Sequence, residues 1–319
     1  MAVKTIRKHL LGFLPSGCRA LLRDLYYDEA ARCKVRRVAS SIFPWYFRKE
    51  CPFCHSRFHR FEDGGISEPI LTKTHCIGGG YRHNVTCPRC SSTDRERLLY
   101  LFLKSSTPLF SQRLKVLHVA PEPRLQRILS AQSFLEYITA DLSAALVMIR
   151  VDLVKAGLRS NLFDVIICNH VLEHISDDGK AMKELLRILK PDGWAILQVP
   201  LSLSLTDTLE DPNVTDPQER RRRYGQEDHV RIYAAHDYRL RLEKAGFRLY
   251  TWSALRERGE SFLDRYGLIR EESLYVCGKP ISHEAEASKA SSFAVLAREG
   301  RYATIGQSRI GSRRKVLHE

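Results

Sequence analysis

Between residues 115 and 199 the apolar positions fall into short runs separated by longer amphipathic stretches. Lys115-Val-Leu-His-Val-Ala120 reads as a buried strand, and Pro121-Glu-Pro-Arg124 turns from it into a helix that runs to Leu129. Proline suits that start, because the first amides of a helix have no intrahelical acceptor. Glu136-Tyr-Ile-Thr-Ala140 predicts a second strand, ending at Asp141. Phe163-Asp-Val-Ile-Ile-Cys-Asn-His170 is nearly continuous in apolar character, the mark of a parallel strand covered on both faces. A helix over 178–190, a turn at Lys190-Pro-Asp-Gly193 and a strand at Trp194-Ala-Ile-Leu-Gln-Val199 continue the alternation. Ahead of it, Ser92 or Thr93 with Glu96 forms the start signal of a helix that reaches Leu103. Strands alternating with helices over 93–280 predict an α/β domain built on a doubly wound, mostly parallel sheet.

Three segments flank this domain. In residues 1–50, Leu10, Leu11, Leu14, Leu21, Leu22, Leu25, Tyr26 and Tyr27 recur among basic residues at spacings that fit an amphipathic helix. Such a helix either packs on the rest of the protein or lies on an anionic membrane surface. Residues 51–92 are rich in Cys, His and Gly and poor in apolar runs, so this module needs something besides a core to hold it together. Residues 281–319 are rich in Ser, Ala and Arg without a sustained period, which predicts a disordered tail.

Composition narrows the setting. A chain of 319 residues accommodates one α/β domain and a smaller module. No apolar run approaches the roughly 20 residues of a membrane-spanning helix, and Pro15 ends the run from His9 to Leu14 too early for a signal peptide. Cys18, Cys33, Cys76, Cys168 and Cys277 are scattered, which fits a reducing, cytoplasmic location. The net charge of +14 is compatible with nucleic acid, anionic lipid or phosphorylated substrates. Much of it lies outside the central domain: residues 1–50 hold eleven Lys/Arg against four Asp/Glu, and residues 281–319 seven against four.

The remaining four cysteines form two C-x-x-C pairs, Cys51-Pro-Phe-Cys54 and Cys87-Pro-Arg-Cys90, separated by 32 residues. Four thiolates converging from two tight turns satisfy tetrahedral zinc with no open position, so the module is read as zinc-ribbon-like and its metal as structural. A redox dithiol would need one pair only, at a helix start after a strand. The intervening segment is longer than usual for a ribbon and is expected to carry a hairpin or loop excursion containing Gly64-Gly65 and Gly78-Gly79-Gly80. His55, His59, His75, Cys76 and His83 lie in the same segment and are alternative ligands.

The block Phe163 to Ile175, with Leu189-Lys-Pro-Asp-Gly193 after it, resembles the class I S-adenosylmethionine-dependent methyltransferases over about Lys115 to Pro280. The pairing with an N-terminal four-cysteine module is similar to a subgroup linked to polysaccharide or small-molecule tailoring. The resemblance implies a Rossmann-like, seven-stranded, doubly wound sheet and S-adenosylmethionine as cofactor. Asp141, with Leu142, would bond the ribose; an acidic residue about 20 positions beyond the first turn commonly does so. Asp152 with Leu153 would reach the adenine, and Asn169 and His170 would line the methionine side. As alternatives, Asp141 caps a helix and Asp152 is a turn carboxylate. The chain departs from the family in its first loop: His118-Val-Ala-Pro-Glu-Pro-Arg124 contains no glycine where the family has G-x-G-x-G. Ala120, Glu122 and the backbone around them would then hold the cofactor differently.

The polar insertion from Leu201 to His229 is where this fold places substrate-specific elements. Its run Arg220 to Arg223 either binds phosphate or carboxylate groups or forms a solvated helical face. His229, between Asp228 and Val230, is the candidate general base for a hydroxyl or amine acceptor, while Glu173 and His174 read as helix-start and packing residues. The first functional expectation is therefore O- or N-methylation of a small molecule, lipid or glycan. Methylation of RNA is a second; Asn169-His-Val-Leu172 lacks the N-P-P-Y/F pattern of enzymes that modify exocyclic base amines. A noncatalytic, zinc-stapled interaction protein with a degenerate cofactor loop is a third.

Overall fold

The computed structural model describes residues 48–143 and 146–280. The amphipathic helix expected in residues 1–47 and the disordered tail expected in 281–319 lie outside the described residues.

The cysteine-bearing segment opens with β1 (Lys49–Glu50) and β2 (Arg57–Phe58), an antiparallel pair, and continues with β3 (Glu62–Gly64), α1 (Pro69–Lys73), β4 (Cys76–Ile77) and β5 (Arg82–Thr86). Strands β3 and β5 pair with each other. Next comes α2 (Asp94–Ser106), whose start is a full capping box: Thr93 Oγ1 accepts from the Glu96 amide, and the Glu96 carboxylate accepts from the Thr93 amide. The alternating region follows as β6 (Lys115–Val119), α3 (Pro123–Ser130), β7 (Glu136–Asp141), β8 (Ile149–Arg150), β9 (Phe163–Asn169), α4 (Asp178–Ile188) and β10 (Leu189–Gln198). Beyond it lie β11 (Leu201–Ser202), β12 (Leu209–Glu210), α5 (Pro217–Tyr224), β13 (Arg231–Ala234), α6 (Ala235–Ala245), β14 (Arg248–Ser253), α7 (Ala254–Arg258), α8 (Glu260–Tyr266) and β15 (Ser273–Gly278).

Seven strands form the central sheet in the order β14-β15-β10-β9-β6-β7-β8, and only the pairings of β15 with β10 and β14 are antiparallel. The Rossmann-like α/β fold expected from the sequence is thus present. Side chains alternate along each strand, so a central strand must bury two faces. Val165 and Ile167 of β9 pack with Leu98, Phe102 and Leu103 of α2, whereas Ile166 and Cys168 pack with Met182 and Leu185 of α4. That two-sided burial explains the unbroken apolar run.

The turn expected at Lys190–Gly193 is a bulge inside β10. Leu189 pairs with Phe163 and Trp194 with Val165, so five positions on one strand advance against two on the other. Pro191 has no amide to give to the ladder, and a Cβ on Gly193 would stand 2.8 Å from the Asp164 carbonyl.

A second, four-stranded sheet has the order β12-β13-β11-β4. Its edge strand β4 belongs to the segment between the two C-x-x-C pairs, and it joins β11 through Cys76–Ser202 and Ile77–Leu201. The excursion between the cysteine pairs is therefore a structural arm that reaches the 201–229 insertion. On that insertion, Arg221, Arg222 and Arg223 of α5 are exposed and paired with Glu68, Glu219 and Asp211, which gives the solvated helical face.

Candidate functional site

The chain leaves β6 for β7 on one side of the sheet and returns through β9 on the other. A topological switch point of this kind opens a crevice at the carboxyl ends of the strands. The glycine-free loop lies there. Ala120 itself adopts the left-handed region, with φ of 45°, and its amide donates to the Ala140 carbonyl at 2.8 Å. The corner that glycine would make freely is thus made by alanine at a cost of order 1 kcal/mol.

Two residues on, Glu122 is fixed by its neighbours. His118 Nε2 lies 2.7 Å from one carboxylate oxygen, and Asn169 Nδ2 donates to the other at 3.0 Å. Burial alone would raise the Glu122 carboxyl, yet the contacts with His118 and Asn169 hold it below its ordinary range. His118 Nδ1 in turn meets Tyr137 Oη at 2.8 Å. The glycine-free loop thus presents a carboxylate held by a buried imidazole and an amide.

Glu122 and Asn169 line a cavity of about 320 Å3 together with Arg95, Glu96, Arg124, His170, Gln198 and Glu272. His170 also has a left-handed φ, 54°, and the Arg95 guanidinium lies 3.2 and 3.1 Å from its two ring nitrogens. Burial, then the Arg95 charge, keeps the His170 imidazole well below its usual pKa and hence neutral. The Arg95 guanidinium also donates to the Gly78 carbonyl. A Cβ on Gly78 would meet Glu272 Oε1 at 3.3 Å and His170 Cε1 at 3.8 Å. The glycine loop of the cysteine arm therefore abuts the crevice, and glycine at 78 is what lets it approach.

Asn169 Oδ1 and Glu272 Oε1 are buried without a hydrogen-bond partner among the described residues. Both are acceptors in the cavity wall, where a ligand donor would satisfy them. Burial, then repulsion from Asp94, pushes the Glu272 carboxyl up to about 7. Its ordinary value is 4.5, so between pH 4.5 and 7 the folded state binds more protons than the unfolded one. Stability should fall as pH rises through that window. Glu272→Gln is expected to flatten the fall and to exceed the wild type above pH 7, by of order 3 kcal/mol at most. Thermal melts across pH 4–8 provide the measurement; equal slopes for the two proteins would refute the assignment.

The remaining sequence candidates are placed as follows. Asp141 ends β7, and its Oδ1 accepts from the Ser143 amide at 2.8 Å; Leu142 beside it is 68% exposed. Asp152 caps the short turn Leu153–Lys155, accepting from the Val154 amide at 2.9 Å, while Leu153 is buried. Val151 N–H bonds the Asp141 carbonyl, so the two acidic segments are adjacent. His229 is buried and does not line the cavity; its Nδ1 faces the Tyr224 carbonyl at 3.3 Å and its Nε2 the Gln226 amide nitrogen at 2.9 Å. Arg95, Arg124, Gln198 and Glu272, which do line it, were not singled out in the sequence. Arg95 offered one signal, a cation in the first turn of a helix that leads into the domain.

The four cysteines converge. Each pair forms the same knuckle: the His55 amide returns to the Cys51 carbonyl and the Ser91 amide to the Cys87 carbonyl, with His55 and Ser91 at φ of 54° and 56°. Cys51 Sγ lies 3.6 Å from Cys90 Sγ, and Cys54 Sγ 3.8 Å from Cys87 Sγ. A disulfide requires about 2.05 Å, whereas a tetrahedron with metal–sulfur bonds of about 2.3 Å has edges of about 3.8 Å. The group could hold a metal ion. Neither His55, His59, His75 and His83 nor Cys76 belongs to it.

Residues 110–251 match the family model of a methyltransferase domain. A comparison with curated protein sequences gives no match. Among solved structures, the chain is similar to the YcgJ protein of Bacillus subtilis, with 18% identity over 49% of this chain and 71% of that one and a TM-score of 0.35. It is similar to an S-adenosylmethionine-dependent methyltransferase of Archaeoglobus fulgidus, with 12% identity over 59% and 95% of the two chains and a TM-score of 0.39. A third, an S-adenosylmethionine-dependent methyltransferase of Thermotoga maritima, shows 15% identity over 57% and 89%, with a TM-score of 0.37.

Proposed function

We propose that this chain is an S-adenosylmethionine-dependent methyltransferase acting on a small-molecule, lipid or glycan acceptor. The observation that carries the reading is the crevice at the β6–β9 switch point. Its Glu122, Arg124, Asn169 and His170 wall belongs to the segment that matches the methyltransferase model, and Asn169 Oδ1 there is a buried acceptor with no donor among the described residues.

The residues present suit the cofactor. Glu122 and Asn169 Oδ1 offer acceptors for an α-ammonium group, and Arg95 and Arg124 offer donors for its carboxylate. Asp141, with Leu142, stands at the end of the next strand to take the ribose hydroxyls, and Asp152 with Leu153 stands beside it for the adenine. When bound there, S-adenosylmethionine supplies a methyl group activated by a sulfonium. The protein's part is to orient the acceptor and exclude water. Ala120 and His170 shape the crevice by their left-handed corners, and the Gly78 loop abuts it. Because Ala120 makes its corner without glycine, the loop composition gives no support to a noncatalytic role. The four-cysteine group would hold a structural zinc, since a closed set of four thiolates leaves no position for chemistry.

Calorimetry of the full chain with S-adenosylmethionine tests the reading. Binding is expected for the wild type, and Asp141→Ala should weaken it at least tenfold, roughly 1.4 kcal/mol. No heat at millimolar ligand, or an Asp141→Ala variant that binds as tightly as the wild type, would sink it.

A further inference from the structure

Behind the cavity, two segments bring three metal-ligating side chains to one point. Glu173 and His174 lie in the turn Leu172–His174, and His229 precedes β13. The Val230 amide donates to the Glu173 carbonyl at 2.9 Å and ties the segments together. One donor atom from each of the three side chains lies within 4.8 Å of the other two. We infer that Glu173, His174 and His229 form a site for a divalent first-row transition ion, separate from the four-cysteine group and independent of the methyl-transfer reading.

The surroundings prepare all three as ligands. Glu173 is 1% exposed; one carboxylate oxygen lies 3.4 Å from His170 Nδ1, and the other, Oε2, has no partner among the described residues. A buried carboxylate oxygen without a donor is costly, and a cation would satisfy it. His174 Nδ1 lies 3.1 Å from the Asp228 carboxylate and His229 Nδ1 lies 3.3 Å from the Tyr224 carbonyl. Both partners can only accept, so each Nδ1 bears the proton and each Nε2 keeps its lone pair. Outer carboxylate and carbonyl partners of this kind orient metal-bound histidines. The His229 lone pair is covered by the Gln226 amide nitrogen at 2.9 Å, a contact the metal would replace. Two imidazoles with one carboxylate favour zinc, iron(II), cobalt or manganese over magnesium or calcium. The turn that supplies Glu173 begins two residues after His170, a cavity residue, so an ion here would brace the crevice wall against the 201–229 insertion.

The test uses the full chain with its four-cysteine group loaded with zinc, titrated with cobalt(II). A second metal equivalent should bind with visible d–d absorption but without sulfur-to-cobalt charge transfer. His174→Ala and Glu173→Gln should each remove that equivalent, Asp228→Asn should weaken it about 10- to 100-fold, and the exposed His236→Ala should leave it intact. His174 is 30% exposed, so its variant should keep the wild-type melting profile and remain interpretable. Saturation at one metal per chain, or a second equivalent that survives in folded His174→Ala, would overturn the site.

Discussion

Cys87→Ser is expected to release the metal from the cysteine module and to unfold that module while the central sheet stays intact. The expectation rests on how small the apolar cluster around the four cysteines is. Its buried members are Cys51, Phe58, Phe61 and Cys87, two of which are the proposed ligands themselves. The module's strands β1 to β5 are two to five residues long. In small modules of this kind the metal-binding free energy is folding free energy, of order 10 kcal/mol for structural zinc. Serine removes one thiolate and leaves three that cannot close a tetrahedron. The effect should extend beyond the module, because β4 is the edge strand of the sheet that carries the insertion and the Gly78 loop abuts His170 and Glu272. Metal analysis should give one equivalent fewer than the wild type, and limited proteolysis should cut within residues 51–92 while sparing 115–199. Purified wild-type protein that is metal-free and equally protease-resistant would refute the claim.

The long strands were legible because their burial is written locally. A parallel strand covered on both faces must be apolar at consecutive positions, as Val165 to Cys168 are. The cysteine knuckles were legible for a similar reason, since each is complete within six residues. The bulge at Lys190–Gly193 was read as a turn because Pro191, Asp192 and Gly193 signal a break, and only the register against Phe163 and Val165 shows that the strand resumes. What escaped the sequence is non-local. The pairing of β4 with β11 joins two-residue strands 125 positions apart, too short to leave a pattern. Glu272 and Arg95 enter one cavity from opposite ends of the domain, and neither sits in a motif. The acidic positions Asp141 and Asp152 came from the resemblance, Asp141 also from its spacing after the first turn, and neither lines the cavity. The substitution of Glu122, held by His118 and Asn169, for a glycine loop required the geometry.

Arg97 is the sharpest case, and its replacement should be among the most damaging in the chain. In the sequence it belongs to the polar start of α2, Asp94-Arg-Glu-Arg97. In the structure it is fully buried. Its Nε donates to the Tyr266 carbonyl at 2.7 Å, Nη1 to Ser92 at 2.6 Å, and Nη2 to Val85 and Gly267, both at 2.9 Å. The guanidinium carbon lies 4.1 Å from the centre of the Phe61 ring. Burial lowers its pKa from the usual 12.5, and the bonds that hold it run to carbonyl dipoles. One side chain thus joins β5 of the cysteine arm, the end of the second knuckle and the α8 terminus to α2. Arg97→Leu would take the guanidinium donor from the Tyr266, Val85 and Gly267 carbonyls and leave the Ser92 carbonyl with only the Cys87 amide, a loss of about 3–5 kcal/mol by analogy with broken buried ion pairs. Arg97→Lys keeps the charge but offers three donors on a compact ammonium, which cannot span the planar fork, so it should recover only part of the loss. Equilibrium urea unfolding would measure both, and a loss below about 1 kcal/mol for Arg97→Leu would refute the role. Since Arg95 leaves the same helical turn for the cavity, both variants should also weaken S-adenosylmethionine binding, although neither removes an atom from the crevice.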